Sequence, residues 1–161
     1  MGPMPTIRIQ REDFDAATEA AALTRGQTEV GAVVTFTGLC RAEAGRLAAL
    51  ELEHYPGMAE EEVARVVAEA EARWPLEGVT VIHRYGRIAP GEQIVLVVTA
   101  STHRQAAFEA ASFLMDYLKT RAPFWKKEHH ADGSAGEWVA AKDADDEALA
   151  RWQPSAPRAA E

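Results

Sequence analysis

The sequence has a single cysteine and no long apolar run, and each of these absences excludes a class of protein. Cys40 stands alone among 161 residues, which excludes an internal disulfide and a CxxC metal or redox site. No apolar stretch approaches the length of a membrane span, and the N-terminal MGPMPTIRIQ lacks the apolar segment of a signal peptide. P-loop, GxGxxG and HExxH motifs are also missing. We therefore expect a cytoplasmic protein that neither contacts a membrane nor holds a metal.

The chain carries a formal net charge of −8 at pH 7, which argues against binding to nucleic acid. The charge is uneven, because residues 101–127 contain five basic and only two acidic side chains. The basic ones are Arg104, Lys119, Arg121, Lys126 and Lys127. A positive island on an acidic protein predicts a small anionic ligand focused into one cleft. A chance fluctuation in charge is the alternative.

Lysine is scarce, since the chain has four lysines against thirteen arginines. Three of the four lie within nine residues, at Lys119, Lys126 and Lys127, and the fourth is Lys142. The pKa of a lysine amine can fall until the amine is a base or nucleophile, whereas arginine stays charged. The clustering therefore favours amine chemistry in this stretch. The alternative is three lysines on a solvated turn.

The length and the order of the elements predict one α+β domain over residues 1–152, followed by a disordered tail over 153–161. The domain has two long helices, and the proline-glycine turn in GRIAPGE indicates antiparallel strands on either side. Hydrophobic periodicity predicts helices over 13–24, 59–74, 104–120 and 145–152. It predicts strands over 6–10, 29–38, 47–55, 79–85, 93–102, 124–130 and 137–140.

The start of the third helix has the features of an anion site. His103 and Arg104 occupy its first turn, where a cation opposes the helix dipole unless an anion lies between them. Backbone N–H groups at a helix N-terminus bind phosphate well, so phosphate is the natural ligand. A second candidate is Arg41, just past a strand. A plain ion pair between Arg104 and a carboxylate remains open as the alternative.

The periodicity of this helix predicts five residues towards the core, namely Ala107, Phe108, Ala111, Leu114 and Leu118. Lys119 lies at the far end of the same helix, with Phe108 and Met115 on its face, and this setting can desolvate the amine. Lys126 and Lys127 follow on the next strand. Neighbouring residues on a strand point to opposite sides, so at most one of the two shares a site with Lys119. Lys126 is preferred.

The remaining reactive side chains have structural interpretations. His54 and His83 lie within predicted strands, and we interpret them as satisfied structural histidines rather than catalysts. His129 and His130 have no acid or thiol at ligand spacing, so we interpret them as exposed strand-end residues. Cys40 allows a sulfur-carrying role, but a small buried filler is favoured because unreactive cysteines are commonly buried.

Several segments resemble the large, catalytic subunit of molybdopterin synthase. They are LEHYPGM (52–58), RWPL (73–76), VTVIHRYG (79–86), PGE (90–92), THR (102–104) and MDYLKTRAPFWKKE (115–128). The similarity covers about residues 5–152, and the last segment is the most specific. It implies an α/β-hammerhead fold, a homodimer and no cofactor. It also implies a small ubiquitin-like sulfur-carrier subunit whose Gly-Gly thiocarboxylate supplies sulfur to cyclic pyranopterin monophosphate, giving the molybdopterin dithiolene.

The same resemblance assigns roles to residues of this chain. The two essential lysines of the family fall on Lys119 and Lys126, and its anion-binding residues fall on Arg41, His103 and Arg104. Lys127 and Glu128 line the same pocket in this resemblance, and Lys142 matches a basic residue from the second protomer. The chain departs from the family pattern at Cys40, where the family has valine, and in a shorter loop after Arg41.

Two points remain open from the sequence. The division of roles between Lys119 and Lys126 cannot be read from it. A non-catalytic binding module for a phosphorylated metabolite, or for the tail of a carrier protein, would use the same basic cleft. Lysine-to-arginine changes distinguish the two hypotheses, because a binding module tolerates them and amine chemistry does not.

Overall fold

The structure is a computed structural model that describes residues 4–120, 124–140 and 152. These residues form three helices and seven strands. The helices are α1 (Ala16–Thr24), α2 (Met58–Arg73) and α3 (Arg104–Thr120). The strands are β1 (Thr6–Gln10), β2 (Ala32–Leu39), β3 (Leu47–His54), β4 (Leu76–Arg84), β5 (Gly86–Ile88), β6 (Gln93–Ser101) and β7 (Phe124–His130).

The larger sheet has four strands in the order β1-β4-β6-β2. β1 runs parallel to β4, and the other neighbours are antiparallel. Both central strands are buried on both faces, which is why they read as nearly continuous apolar runs. α2 and α3 pack on one face and α1 packs on the other. The predicted α+β class, with mostly antiparallel strands and two long helices, is confirmed.

The helices form where a stripe of apolar residues begins or ends beside a capping residue. Asp15 begins α1, because its side chain accepts a hydrogen bond from the Thr18 N–H. In α2, the buried stripe consists of Val63, Val66, Val67 and Ala70, while Trp74, where the predicted helix ended, caps the helix and is partly buried. α1 begins later than predicted and turns Ala16, Ala20 and Leu23 towards the sheet.

The smaller sheet has the order β5-β3-β7 and covers a cluster of four residues. The cluster consists of Cys40, Leu47, Leu52 and Ile88. The sequence predicted a simple turn over 86–92, but its first three residues form β5 and pair with β3. Gly86 permits this, because its φ of 93° redirects the chain immediately after β4.

The structure tests only one of the two elements predicted near the C-terminus. The strand predicted over 137–140 is reduced to one bridge, in which the Lys126 N–H donates to the Val139 carbonyl (2.9 Å) and the Val139 N–H donates back (2.8 Å). The helix predicted over 145–152 lies outside the described residues except for Trp152, and so does the tail over 153–161. Among the residues that are described, no helix is both long and apolar enough to cross a membrane.

Gly31 provides a test of how tightly β2 joins the rest of the fold. The Gly31 N–H donates to the Ser101 carbonyl (3.0 Å), and a Cβ at position 31 would lie 2.3 Å from the backbone oxygen of Thr102. We expect Gly31→Ala to lower the free energy of unfolding by about 1–3 kcal/mol, because backbone must move to relieve the clash. Urea denaturation measures the loss.

Gly136→Ala is the matched control for this prediction. A Cβ there has its nearest neighbour, the Glu128 oxygen, at 3.9 Å, so we expect a change within about 0.5 kcal/mol. Equal stability of the Gly31→Ala variant and the parent would contradict the close approach at Thr102.

Candidate active site

A cavity of about 500 Å³ lies between the two sheets, at the C-terminal end of α3. Its walls come from the ends of β2 and α3, from β3, β6 and β7, and from Val139 and Ala140. Most of the wall is apolar, and Phe36, Met115 and Phe124 contribute large parts of it. Such a cavity can hold a small organic ligand or the extended end of a peptide.

The polar lining of this cavity is basic. It includes Arg41, Lys119 and Lys126, and no carboxylate is found among the described residues of the lining. On a chain with a net charge of −8, three cations around one apolar cavity create a local positive potential. Because the walls are apolar, an anion in this cavity is screened less than on the open surface.

β7 directs Lys126 into the cavity. Lys126 pairs with Leu52 of β3 on one side and with Val139 on the other, so its backbone is held from both edges. Lys127 lies on the opposite face of the strand, where its Nζ is 5.7 Å from the ring centroid of Trp138. The structure therefore brings Lys126, and not Lys127, beside Lys119, as the alternation of a strand requires.

α3 carries Lys119 to the rim of the cavity. Lys119 lies in the last turn of the helix, where a cation complements the helix dipole. The prediction that Phe108 faces the core is wrong, since Phe108 is 62% exposed, whereas Met115 packs partly buried against the core. Lys119 itself is exposed in the single chain. The helix buries the other core residues that were predicted from the sequence, together with Phe113, which was not among them.

His103 and Arg104 lie at the other end of α3 from Lys119. At 1.5 Å per residue, Arg104 is about 22 Å along the helix from Lys119, so one chain does not bring these groups together. Within the part of the chain that is described, neither His103 nor Arg104 forms an ion pair. The alternative prediction, an ion pair between Arg104 and a carboxylate, is therefore wrong.

Arg41 follows β2 and is almost free of contacts. Its guanidinium is 83% exposed and lies 3.7 Å from a Glu43 oxygen, a distance at which an exposed pair contributes little. The loop that follows has Glu43 and Ala44 in the left-handed region, with φ of 54° and 59°. The Leu47 N–H closes the loop by donating to the Ala42 carbonyl (2.9 Å).

The remaining residues assigned by resemblance lie elsewhere. Glu128 lies two residues beyond Lys126 on β7, and its carboxylate is 3.7 Å from Nε2 of His130. Nε2 of His129 lies 2.8 Å from a Glu51 carboxylate oxygen. The His129 side chain is partly buried, so the prediction of an exposed residue is wrong. Lys142 lies outside the described residues. The described part of the chain contains no group of three residues able to hold a metal ion.

His83 lines the cavity, and the sequence analysis did not assign it to the site. Its ring stacks on Phe124 with centroids 3.9 Å apart, and its Nδ1 lies 2.8 Å from the Arg84 carbonyl. The pKa of His83 is lowered from 6.5 to about 4, mainly by burial and in smaller part by nearby His54, while the hydrogen bond to the Arg84 carbonyl opposes the shift. A signal was present, since strand alternation places His83 on the face of β4 that packs against α2 and α3.

His54 and Cys40 take up structural positions near the cavity. The His54 side chain is buried against Tyr85, with ring centroids 4.3 Å apart, but its Nδ1 has no hydrogen-bond partner among the described residues. We predicted that His54 and His83 both have satisfied hydrogen bonds, and the structure shows such a bond only at Nδ1 of His83. Cys40 is 4% exposed, and burial raises the pKa of its thiol, as expected of a filler rather than a reactive thiol.

A two-sheet α+β domain with a basic, amine-bearing cavity is suited to bind a small anionic ligand beside groups that can move protons. The family model described as MoaE protein matches residues 9–121. The chain belongs to this family, which confirms the resemblance found in the sequence.

Individual relatives agree with this assignment. The "Molybdopterin synthase catalytic subunit" of Mesorhizobium japonicum is 70% identical over 151 residues, covering 94% of this chain and 95% of that one. The solved "Molybdopterin biosynthesis MoaE protein" from Burkholderia ambifaria is 51% identical with a TM-score of 0.80, over 92% of this chain and 98% of that one. A two-subunit complex of "Molybdopterin-converting factor" from Helicobacter pylori shares the fold, with a TM-score of 0.65 at 20% identity over 85% and 90%.

The buried histidine of the cavity predicts a pH dependence of stability. The folded state disfavours the proton on His83, so the unfolded state binds more protons between about pH 6.5 and pH 4. We expect the contribution of His83 to be complete above pH 6.5 and to decrease by about 3 kcal/mol as the pH falls to about 4. Urea denaturation across this range measures it.

His83→Phe keeps the ring stack and removes the titration, so its stability should fall less between pH 7.5 and pH 5 than that of the parent. His54→Gln should keep most of the parent's dependence. Parallel curves for the parent and His83→Phe would contradict the buried, uncharged state of this histidine.

Proposed function

We propose that this chain is the catalytic subunit of molybdopterin synthase. It transfers sulfur from the C-terminal thiocarboxylate of a small carrier subunit to cyclic pyranopterin monophosphate, producing the molybdopterin dithiolene. The observation that carries the proposal is the cavity in which Lys119, Lys126 and Arg41 converge without a carboxylate among the described lining residues, in a chain of this family. We expect the reaction to take place in the cytoplasm.

The cavity supplies what sulfur transfer needs. A thiocarboxylate must be held beside an electrophilic carbon, a proton must be moved, and developing negative charge must be stabilised. Lys119 and Lys126 offer ammonium groups for the last two tasks, and either can take either task. Arg41 offers a guanidinium for the substrate phosphate. Lys127 and Glu128 stay predictions from the resemblance.

The sulfur donor in this proposal is the extended tail of a separate small protein with a Gly-Gly C-terminus. Recognition of such a tail combines backbone contacts with cationic capture of its terminal group. The apolar walls and the two lysines of the cavity support both parts. The related fold from Helicobacter pylori was solved as a complex of two subunits, in keeping with a separate carrier.

A second copy of the chain would complete the anion site in this proposal. β2 is an edge strand of the larger sheet, and its exposed side chains include Val33, Phe36 and Leu39. An exposed apolar edge of eight residues favours pairing with another strand. Soluble homodimers mostly use a two-fold axis, and a two-fold axis perpendicular to the sheet makes two identical edge strands antiparallel.

Antiparallel pairing of two β2 strands supports a role for the partner's His103 and Arg104. In one chain, Ala32 at the start of β2 pairs with Ser101, next to the beginning of α3, whereas Leu39 at its end lines the cavity. From Ala32 to Leu39 the strand spans about 23 Å, close to the separation of Arg104 from Lys119. The anion-binding end of one copy would thus lie beside the cavity of the other, and the exposed face of α3 would be covered.

Substitution of the lysines tests whether the site performs amine chemistry. We expect Lys119→Arg and Lys126→Arg each to keep the fold and lose more than about a hundredfold in turnover, because a guanidinium stays protonated and does not fit an ammonium site. The measurement is dithiolene formation from the pterin precursor and thiocarboxylated carrier.

Lys127→Arg is the matched control, because it keeps the charge and the contact with Trp138 on the opposite face of β7. It should retain most of the activity, because an anion-binding role of Lys127 needs only the positive charge, which arginine keeps. Wild-type turnover in both cavity variants would instead favour the binding-module hypothesis.

Mixed dimers test whether the site is shared between copies. Lys119→Arg and Arg104→Ala should each be inactive alone. After subunit exchange, half of the dimers are mixed and one of their two sites is intact, so activity should recover to about a quarter of the wild-type rate. No recovery, with exchange confirmed by mass spectrometry of differently tagged chains, would place Arg104 and Lys119 in separate sites.

A further inference from the structure

The cavity contains one hydrogen-bonding group that the proposed function has not used, the imidazole of His83. Its ring lines the same cavity as Lys119 and Lys126. β4 holds the backbone of His83 between two neighbours, β1 and β6, and Phe124 stacks on the ring at 3.9 Å with an interplanar angle of 15°. The position and plane of the ring are therefore fixed before any ligand arrives.

The hydrogen bond of Nδ1 determines which nitrogen of His83 carries the proton. A carbonyl oxygen only accepts, so Nδ1, 2.8 Å from the Arg84 carbonyl, must be the donor. In a neutral imidazole this leaves Nε2 with a lone pair. Within the described part of the chain, Nε2 has no hydrogen-bond partner. It is also not among the fully buried atoms that lack a partner, so it is open to the cavity and available to a ligand.

The other polar groups of the cavity make this lone pair distinctive. Lysine and arginine carry donors only, so Arg41, Lys119 and Lys126 can bind an anion but cannot accept from a ligand's N–H or O–H group. The Thr37 hydroxyl can accept, but it rotates freely. Among the described side chains of the lining, His83 offers an oriented and uncharged acceptor.

We propose that His83 is a substrate-binding residue, whose Nε2 accepts a hydrogen bond from an N–H or O–H group on the ring system of the phosphorylated pterin while the cations hold its anionic part. This inference rests on the proposed function. It assigns two kinds of recognition to one cavity, with charge for the phosphate and a directed acceptor for the rings.

Such an acceptor contributes selectivity that the cations cannot. A small anion would satisfy the lysines and leave Nε2 to water, so it gains nothing from this contact, whereas a ring system that fills the cavity without a donor would leave Nε2 desolvated and unpaired, which is unfavourable. A site built around a hydrogen bond discriminates strongly against ligands that lack the donor. The cavity should therefore bind the pterin phosphate more tightly than inorganic phosphate.

Two substitutions of His83 separate the roles of its nitrogens. The amide of His83→Asn can replace the Nδ1 donor but reaches no further, whereas the longer amide of His83→Gln can place an acceptor where Nε2 lies. We expect His83→Asn to lose about ten- to a hundredfold in kcat/KM, mainly through KM, and His83→Gln to recover most of it. His54→Gln, at the buried histidine outside the cavity lining, should stay near the wild-type value.

Nitrogen NMR of histidine-labelled protein provides a readout that a structural role would not change. Adding the pterin precursor without carrier should move the Nε2 resonance of His83 in the direction of hydrogen-bond acceptance, whereas inorganic sulfate, which carries no O–H group at neutral pH, should leave it in place. Pterin binding without movement of this resonance, or equal kcat/KM for His83→Asn and wild type, would overturn the inference alone. Failure of the wild-type protein to bind or convert the pterin would overturn the proposed function instead.

Discussion

Packing of α3 against the larger sheet is the contact on which the rest of the structure depends. Phe113, Leu114 and Leu118 bury themselves against Val81 and Val97, and each of these side chains is at most 5% exposed. Full burial of side chains of this size contributes about 1.5–3 kcal/mol each. The same helix carries Arg104 at one end and Lys119 at the other, so its position on the sheet fixes both cationic ends of the proposed site.

The cations that make the cavity suitable for an anion also lower the stability of the unliganded protein. Three cations lie around a mostly apolar space, and like charges in such a space repel one another more than they would in water. The neutral imidazole of His83 is consistent with this setting, because burial and neighbouring positive charge both lower a histidine pKa. An anionic substrate relieves the repulsion, so binding and stability should be coupled.

The sequence predicted the elements with strong periodicity and the residues with unusual chemistry. α3, β1 and β7 were predicted with the bounds that the structure has, and Lys119, Lys126 and Arg41 do line one cavity. Predictions that depend on tertiary context were less reliable. Phe108 looked like a core residue because it is apolar and lies at helical spacing from Ala111, but no described element of the single chain covers it.

His83 was missed for a related reason. A histidine within an apolar strand reads as structural, and only the meeting of β4 with α3 and β7 shows that its ring borders a cavity. The separation of Arg104 from Lys119 could have been found from helix length alone, since 1.5 Å per residue applies to any α-helix. The resemblance assigned both residues to one pocket without saying from which chain each one comes.

The short loop after Arg41 affects how the arginine meets its ligand. Glu43 and Ala44 occupy a backbone region that few side chains favour, and the bond from Leu47 to Ala42 holds them there. Each backbone residue that orders on binding costs about 1–2 kcal/mol of conformational entropy. A loop ordered in advance leaves only the Arg41 side chain to be immobilised, at about 2 kcal/mol. A shorter loop can therefore favour anion capture even though it offers fewer contacts.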